Sequence, residues 1–200
     1  MSNFFQQQPI ILASGSSIRS KLLQSLGLEF TVIPSQCDEE VLKESFAKEN
    51  TLELGYALAA HKALDVSQHY SEHFIIAADQ LCLLGNILLN KPLDHQTAIT
   101  QLSLLSDQTH QQISCLCIAK NNQILWQHHE VADLTMHPLN KQSIEAYLLS
   151  EKPYHSCGSY HYENQGKWLF QEVKGNEDTI LGLPLFPLTQ ALRKLGAVHF

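Results

Sequence analysis

The stretch PIILASGSSIRSKLLQSL at residues 9–26 decides the fold class of this chain. It opens with four apolar residues, 10–13, a short run typical of a buried strand. The small residues 14–17, Ser-Gly-Ser-Ser, interrupt the run. After them, apolar side chains recur at helical spacing, at Ile18, Leu22, Leu23 and Leu26. Because Gly27 is a common type of helix stop, the stretch predicts a strand, a serine–glycine turn and a helix.

Strands and helices alternate along the rest of the chain. The strongest predicted strand covers residues 74–84, and Gly85 and Asn86 after it predict a hairpin turn. Further strands are predicted at 30–34, 113–119, 124–126, 131–136 and 168–173, and further helices at 52–66, 94–105, 140–149 and 188–195. This alternation predicts an α/β fold, a mixed twisted β-sheet flanked by helices.

Composition limits the function classes. The 200 residues are 44% hydrophobic and 16% charged, which predicts a folded protein with one domain over residues 1–200. The 13 Lys and Arg against 20 Asp and Glu give a net charge of −7, which argues against a nucleic-acid-coating protein. A small polyanionic substrate remains compatible, provided that local cationic groups, helix N-termini or a metal ion neutralise it.

The expected compartment is the cytoplasm. No apolar run reaches the roughly 18 residues that span a membrane. Residues 1–9 contain no Lys or Arg, so they do not resemble a secretory signal. The five cysteines show no CxxC spacing, which favours reduced thiols over a disulfide framework or a zinc site.

The serine–glycine turn is the first candidate site. A strand that ends in small residues at a helix start presents backbone N–H groups and the positive end of the helix dipole. The hydroxyls of Ser14 and Ser16 and the guanidinium of Arg19 would complete an anion site. The alternative is a capped helix with a surface arginine. The stretch is not a P-loop, because the GxxxxGK[ST] pattern is absent.

Asp79 is the second candidate, because a carboxylate inside an apolar strand is costly to bury without a partner. It is either a strand-end carboxylate facing a cleft, able to act as a general base or hold a divalent cation, or a structural one bonded to backbone N–H groups. Lys62 and Lys91 stand on apolar backgrounds and are either phosphate ligands or solvated lysines. The acidic turn at residues 38–40 is either a metal site or an ordinary polar turn.

These stretches resemble the motifs of the Maf family of nucleoside triphosphate pyrophosphatases. The segment LASGSSIR at 12–19, followed by Leu22 and Leu23, resembles the opening LASxSPRR..LL motif. Six further matches follow in order, at residues 38–39, 62–63, 78–80, 91–92, 158–160 and 182–185. The similarity therefore spans about residues 9–195, and it implies a mixed α/β sheet with two lobes around a central cleft, related to the inosine triphosphatase type.

The resemblance also implies an activity and residue roles. The activity is hydrolysis of a nucleoside triphosphate between its α and β phosphates, with a divalent cation such as Mg²⁺ or Mn²⁺. Asp79 would be the proton acceptor, and Glu39 and Asp79 would lie at the metal. The phosphate-facing residues would be Ser14, Ser16, Arg19, Lys62 and Lys91. The resemblance also makes a homodimer plausible.

The substrate class follows from subfamily motifs. The Ala-Asp-Gln triplet at 78–80 and the segment HSCGSYHYE at 155–163 resemble the 7-methyl-GTP branch of the family. The specificity positions would then be Ile18, Gln80 and Glu163, and a glutamate suits the two donors on the edge of guanine. Ser17 and Ile18 depart from the family pattern. The alternatives are a dTTP/UTP pyrophosphatase and a catalytically weak nucleotide-binding regulator of cell division.

Overall fold

The strands of the fold are mostly short at the N-terminal end and long in the middle of the chain. The computed structural model describes residues 5–46 and 51–199, and for Glu40, Glu44 and Ser45 it describes the backbone alone. Within this part of the chain the strands are β1 (Ile10–Leu12), β2 (Phe30–Val32), β3 (Phe74–Leu84), β4 (Ile87–Leu89), β5 (Thr109–Lys120), β6 (Gln123–Met136) and β7 (Phe170–Lys174).

Helices alternate with these strands, as the sequence pattern predicts. They are α1 (Ser17–Ser25), α2 (Glu39–Ser45), α3 (Thr51–Ser67), α4 (His95–Leu105), α5 (Lys141–Glu151), α6 (Glu177–Ile180) and α7 (Leu185–Lys194), with a 3₁₀ helix at Gln165–Leu169. The apolar stripes of these helices are buried, for example Leu58 and Ala59 of α3. Among the described helices, none combines the length and the apolar composition that crossing a lipid bilayer requires.

The sheet is mixed, which confirms the predicted fold class. The strand order is β2-β1-β3-β5-β6-β7, with β4 paired to β3. Strand β1 pairs in parallel with both β2 and β3, whereas β3 with β4 and β6 with β7 are antiparallel. Leu84 pairs with Ile87, so the hairpin predicted at Gly85 and Asn86 is confirmed.

The described chain divides into two compact units, each with its own apolar core. The first unit holds the residues up to Asp79, Ser114–Glu130 and the residues from Gly182 onward, and the second holds Gln80–Ile113 and Val131–Leu181. The core of the first unit includes Leu12, Ile76, Leu116 and Leu188, and that of the second includes Leu102, Leu134, Met136 and Leu148. The predicted single domain with a central cleft stays a prediction.

Three predicted elements need correction. The acidic segment at 38–40 is not only a turn, because α2 begins at Glu39. Trp168 lies in the 3₁₀ helix rather than in a strand, and it is 86% exposed, so its apolar character does not bring it into the core. Strand β6 runs without interruption over both predicted segments, because the polar residues between them, 127–130, continue the strand.

Candidate active site

The serine–glycine turn caps α1. Ser16 is the N-cap, and its Oγ accepts a hydrogen bond from the backbone N of Arg19 at 3.3 Å. Ser14 Oγ accepts one from the backbone N of Ser16, also at 3.3 Å. The predicted strand, turn and helix are therefore confirmed. Both hydroxyls lie at the positive end of the helix, where an anion is stabilised.

Arg19 connects this turn to two other segments of the first unit. Its Nη1 donates to Ser14 Oγ at 3.3 Å and to the carbonyl of Ala78 at 2.8 Å. Its Nε donates to the carbonyl of Gly182 at 2.8 Å. The capped helix of the alternative interpretation is present, and Arg19 is half-buried and bonded to two backbone carbonyls. The guanidinium is held by carbonyl oxygens, and it lies beside the residue that precedes Asp79.

Asp79 lies in the interior of β3 and is paired with a lysine. The residue is 7% exposed, and Lys62 Nζ donates to its Oδ1 at 2.6 Å. The same ammonium lies 3.0 Å from Glu39 Oε1. Asp79 is thus neither at a strand end nor held by backbone N–H groups in the described contacts, and the solvated alternative for Lys62 is wrong. We call Glu39, Lys62 and Asp79 the Lys62 cluster.

The Lys62 cluster consists of two carboxylates around one lysine ammonium, and the described residues contain no group of three or more His, Cys, Asp or Glu side chains that could hold a metal ion. Mg²⁺ and Mn²⁺ prefer carboxylate oxygens, and Glu39 and Asp79 both direct an oxygen at one positive charge, the lysine ammonium. The ammonium marks a position where the protein places a cation between two anions. Two carboxylates are fewer than the six oxygen ligands that Mg²⁺ usually takes.

Gln80 belongs to the second unit and has uncharged partners. Its Nε2 donates to Gln112 Oε1 at 2.7 Å, and Gln112 Nε2 donates to the Tyr160 hydroxyl at 2.7 Å. That hydroxyl lies 2.8 Å from His110 Nε2. Gln112, Tyr160 and His110 are all buried. We call these four residues the Gln80 network.

Burial keeps the titratable side chains of the Gln80 network uncharged. It lowers the pKa of His110 from 6.5 to about 4 and raises that of Tyr160, so both side chains are neutral near pH 7. The Tyr160 oxygen accepts from Gln112 Nε2, and the tautomer of the imidazole sets which group donates in its contact with His110 Nε2. Gln80 Oε1 and His110 Nδ1 are both buried without a hydrogen-bond partner among the described residues.

The remaining predicted site residues make no contact that assigns a role. Ile18 is half-buried in the first turn of α1, in the first unit. Lys91 is exposed after β4, and Glu163 is half-buried, both in the second unit. Their side chains form no hydrogen bond or ion pair with the cluster or the network in the described part of the chain. Their roles stay predictions.

Sequence reasoning missed His110, Gln112 and Tyr160. His110 and Gln112 are two residues apart on β5, so they share one face of the strand. The sequence pattern predicts that this strand begins at Ile113, because the residues before the apolar run are polar. Extending the alternation backwards would have placed both polar side chains on one face. Tyr160 lies in the segment 158–160 that resembles a family motif, but the sequence does not indicate a role for its hydroxyl.

Comparisons with known proteins place the chain in a family. The family described as "Maf-like protein" matches residues 9–195. A Legionella pneumophila (strain Corby) protein named nucleoside triphosphate pyrophosphatase is 62% identical over 99% of this chain and 99% of its own length. A Rhizobium etli protein named 7-methyl-GTP pyrophosphatase is 37% identical over 94% of this chain and 97% of its own. A solved HAM1 protein from Coxiella burnetii aligns over 94% and 96% of the two chains at 15% identity, with a TM-score of 0.42.

Proposed function

The chain belongs to the Maf family and is a nucleoside triphosphate pyrophosphatase, and on that premise we propose that its substrate is 7-methyl-GTP. The products would be 7-methyl-GMP and pyrophosphate. The observation that carries the hydrolytic part is the Lys62 cluster, where Asp79 is buried beside a cation. Relatives named 7-methyl-GTP pyrophosphatase at 35% and 37% identity support the substrate.

Asp79 acts in this proposal as the proton acceptor for the attacking water. The water oxygen forms a bond to phosphorus, the α–β bridging P–O bond breaks, and the water proton moves to an Asp79 carboxylate oxygen. A Mg²⁺ or Mn²⁺ ion held by Glu39 and Asp79 would supply charge neutralisation at the phosphates. Before substrate and metal bind, the Lys62 ammonium donates to the Oδ1 of this carboxylate at 2.6 Å.

Five side chains neutralise or bind the phosphate chain in the proposal. The triphosphate carries about four negative charges and the protein is itself acidic at −7, so local positive groups have to offset both. Ser14 and Ser16 lie at the start of α1, and Arg19 is fixed beside them. Lys62 and Lys91 complete the set.

Ile18, Gln80 and Glu163 recognise the base in the proposal. A carboxylate at Glu163 accepts hydrogen bonds from N1–H and N2–H₂ of guanine, and its charge favours the positive 7-methyl base. Gln80 directs its amide N–H into its network, which leaves Oε1 as an acceptor for another donor. Ile18 contributes apolar contact.

A panel of nucleoside triphosphates tests the proposal. We expect the purified chain with Mg²⁺ or Mn²⁺ to release pyrophosphate from 7-methyl-GTP with the highest kcat/KM among 7-methyl-GTP, GTP, dTTP and UTP. A preference for dTTP and UTP would overturn the substrate and leave the pyrophosphatase activity in place. Binding of nucleotide without turnover would instead favour a regulatory protein.

A further inference from the structure

The Lys62 cluster places one ammonium where the proposed function requires a metal ion. Lys62 Nζ lies 2.6 Å from Asp79 Oδ1 and 3.0 Å from Glu39 Oε1. The side chains of Lys62 and Asp79 are only 12% and 10% exposed, and that of Glu39 is 35% exposed. Water therefore screens the Asp79 carboxylate poorly, whereas the Glu39 carboxylate is partly exposed to solvent.

We infer that Lys62 is the resident counter-cation of Asp79 and Glu39, and that a divalent ion binds these carboxylates only when the ammonium moves away. This inference rests on the proposed metal role of the two carboxylates. Lys62 then has two roles. It binds phosphate, as proposed above, and it competes with the metal ion for the two carboxylates.

Charge repulsion makes the two occupants exclude each other. An ammonium in contact with both carboxylates would stand beside a divalent ion bound to the same oxygens, and like charges at this separation repel strongly at a poorly solvated site. With Lys62 in place, Asp79 and Glu39 already have a cation, so a free metal ion gains little by binding. Removing Lys62 leaves two neighbouring carboxylates that need a cation.

The displaced ammonium needs an anionic partner, and a triphosphate supplies one. Lysine has a flexible four-carbon stem, so Lys62 can move from α3 while the helix stays in place. Arg19 differs, because its guanidinium is bonded to the carbonyls of Ala78 and Gly182. Metal and nucleotide should therefore bind with positive coupling, since the phosphate chain accepts the ammonium that the metal displaces.

Titration of the protein with Mn²⁺ in the absence of nucleotide tests the inference. Calorimetry would give the dissociation constant for wild type, Lys62→Met and Lys62→Gln, in which the positive charge is removed. We expect both neutral variants to bind Mn²⁺ at least about tenfold more tightly than wild type. Lys62→Arg keeps the charge and should bind as weakly as wild type. Lys120→Met is the matched control, because Lys120 is half-buried in the same unit and bonds to Gln8 rather than to the Lys62 cluster.

Thermal unfolding of the same variants shows whether a change in Mn²⁺ binding results from a folding defect. The buried Asp79 carboxylate beside Glu39 destabilises the protein when it has no cation, so added Mn²⁺ should raise the Tm of Lys62→Met more than that of wild type. A neutral variant that folds only with Mn²⁺ also supports the inference. Neutral variants that bind Mn²⁺ no more tightly than wild type, or that stay unfolded in its presence, overturn it. A failure of the proposed function would appear separately, as a lack of pyrophosphate release by wild type.

Discussion

Asp79 and Gln80 are consecutive residues of β3, yet their surroundings differ in kind. Asp79 belongs to the first unit and contacts a lysine that is shared with Glu39. Gln80 belongs to the second unit and is held by a buried network of uncharged groups. The partner of Asp79 is therefore charged, whereas the partner of Gln80 is a neutral amide.

The difference shows two ways to keep a polar side chain functional inside a protein. The Lys62 cluster keeps charge, because each ion has a counter-ion within hydrogen-bond distance. The Gln80 network contains no charge and is instead held together by hydrogen bonds between neutral side chains. The first arrangement suits phosphate and metal chemistry, and the second suits recognition of hydrogen-bond donors.

The largest effect is expected from removing the charge at Asp79. Asp79→Asn cannot accept a proton, so we expect kcat for pyrophosphate release to fall at least about 100-fold. Steady-state kinetics measures this, with Asp65→Asn as the control, because Asp65 accepts hydrogen bonds from Ser35 and Gln36 in the same unit. Turnover of Asp79→Asn near the wild-type value would contradict the role of Asp79 as proton acceptor.

Breaking the Gln80 network should come next in size. Tyr160→Phe removes one hydroxyl and leaves Gln112 Nε2 and His110 Nε2 buried without their partner, which costs about 2 to 3 kcal/mol of unfolding free energy. Tyr147→Phe is the matched control, since that buried hydroxyl accepts a single hydrogen bond, from the backbone N of His161. Denaturant unfolding measures both variants, and equal losses would show that Tyr160 has no network role.

The pH dependence of the unfolding free energy tests whether His110 is neutral in the folded protein. Burial lowers the pKa of His110 from 6.5 to about 4, so the unfolded chain binds a proton in this range that the folded protein does not. Unfolding free energy should fall as the pH falls, by about 2 kcal/mol between pH 7 and pH 5 from this residue alone. His110→Asn should lose this part of the pH slope, whereas His69→Asn, at an exposed position, should keep it. The same slope in both variants would contradict a buried neutral His110.

The smallest effect is expected from the base-recognising carboxylate. Glu163→Gln exchanges one acceptor oxygen for an amide donor, so it should lower kcat/KM for 7-methyl-GTP about tenfold relative to dTTP. Competition between the two nucleotides in one reaction measures this ratio directly. An equal loss for both nucleotides would mean that Glu163 does not recognise the base.

The sequence could predict the elements and the type of site because both depend on local pattern. The turn at Ser14 and Ser16 follows from small residues between a strand and a helix, and the hairpin at Gly85 follows from its turn residues. Asp79 stood out because a carboxylate in an apolar strand needs a partner. The identity of that partner did not follow, because Lys62 lies seventeen residues earlier, on another element.

The sequence by itself determined the alternation of strands and helices, the capped turn before Arg19 and the presence of a buried carboxylate, since these depend on side-chain period and composition. Only the tertiary structure decided that Lys62 joins Asp79 to Glu39, and that Tyr160 joins Gln112 to His110. The physical reason is that hydrogen bonds and ion pairs depend on distance in space, and the packing of the core around the sheet sets those distances.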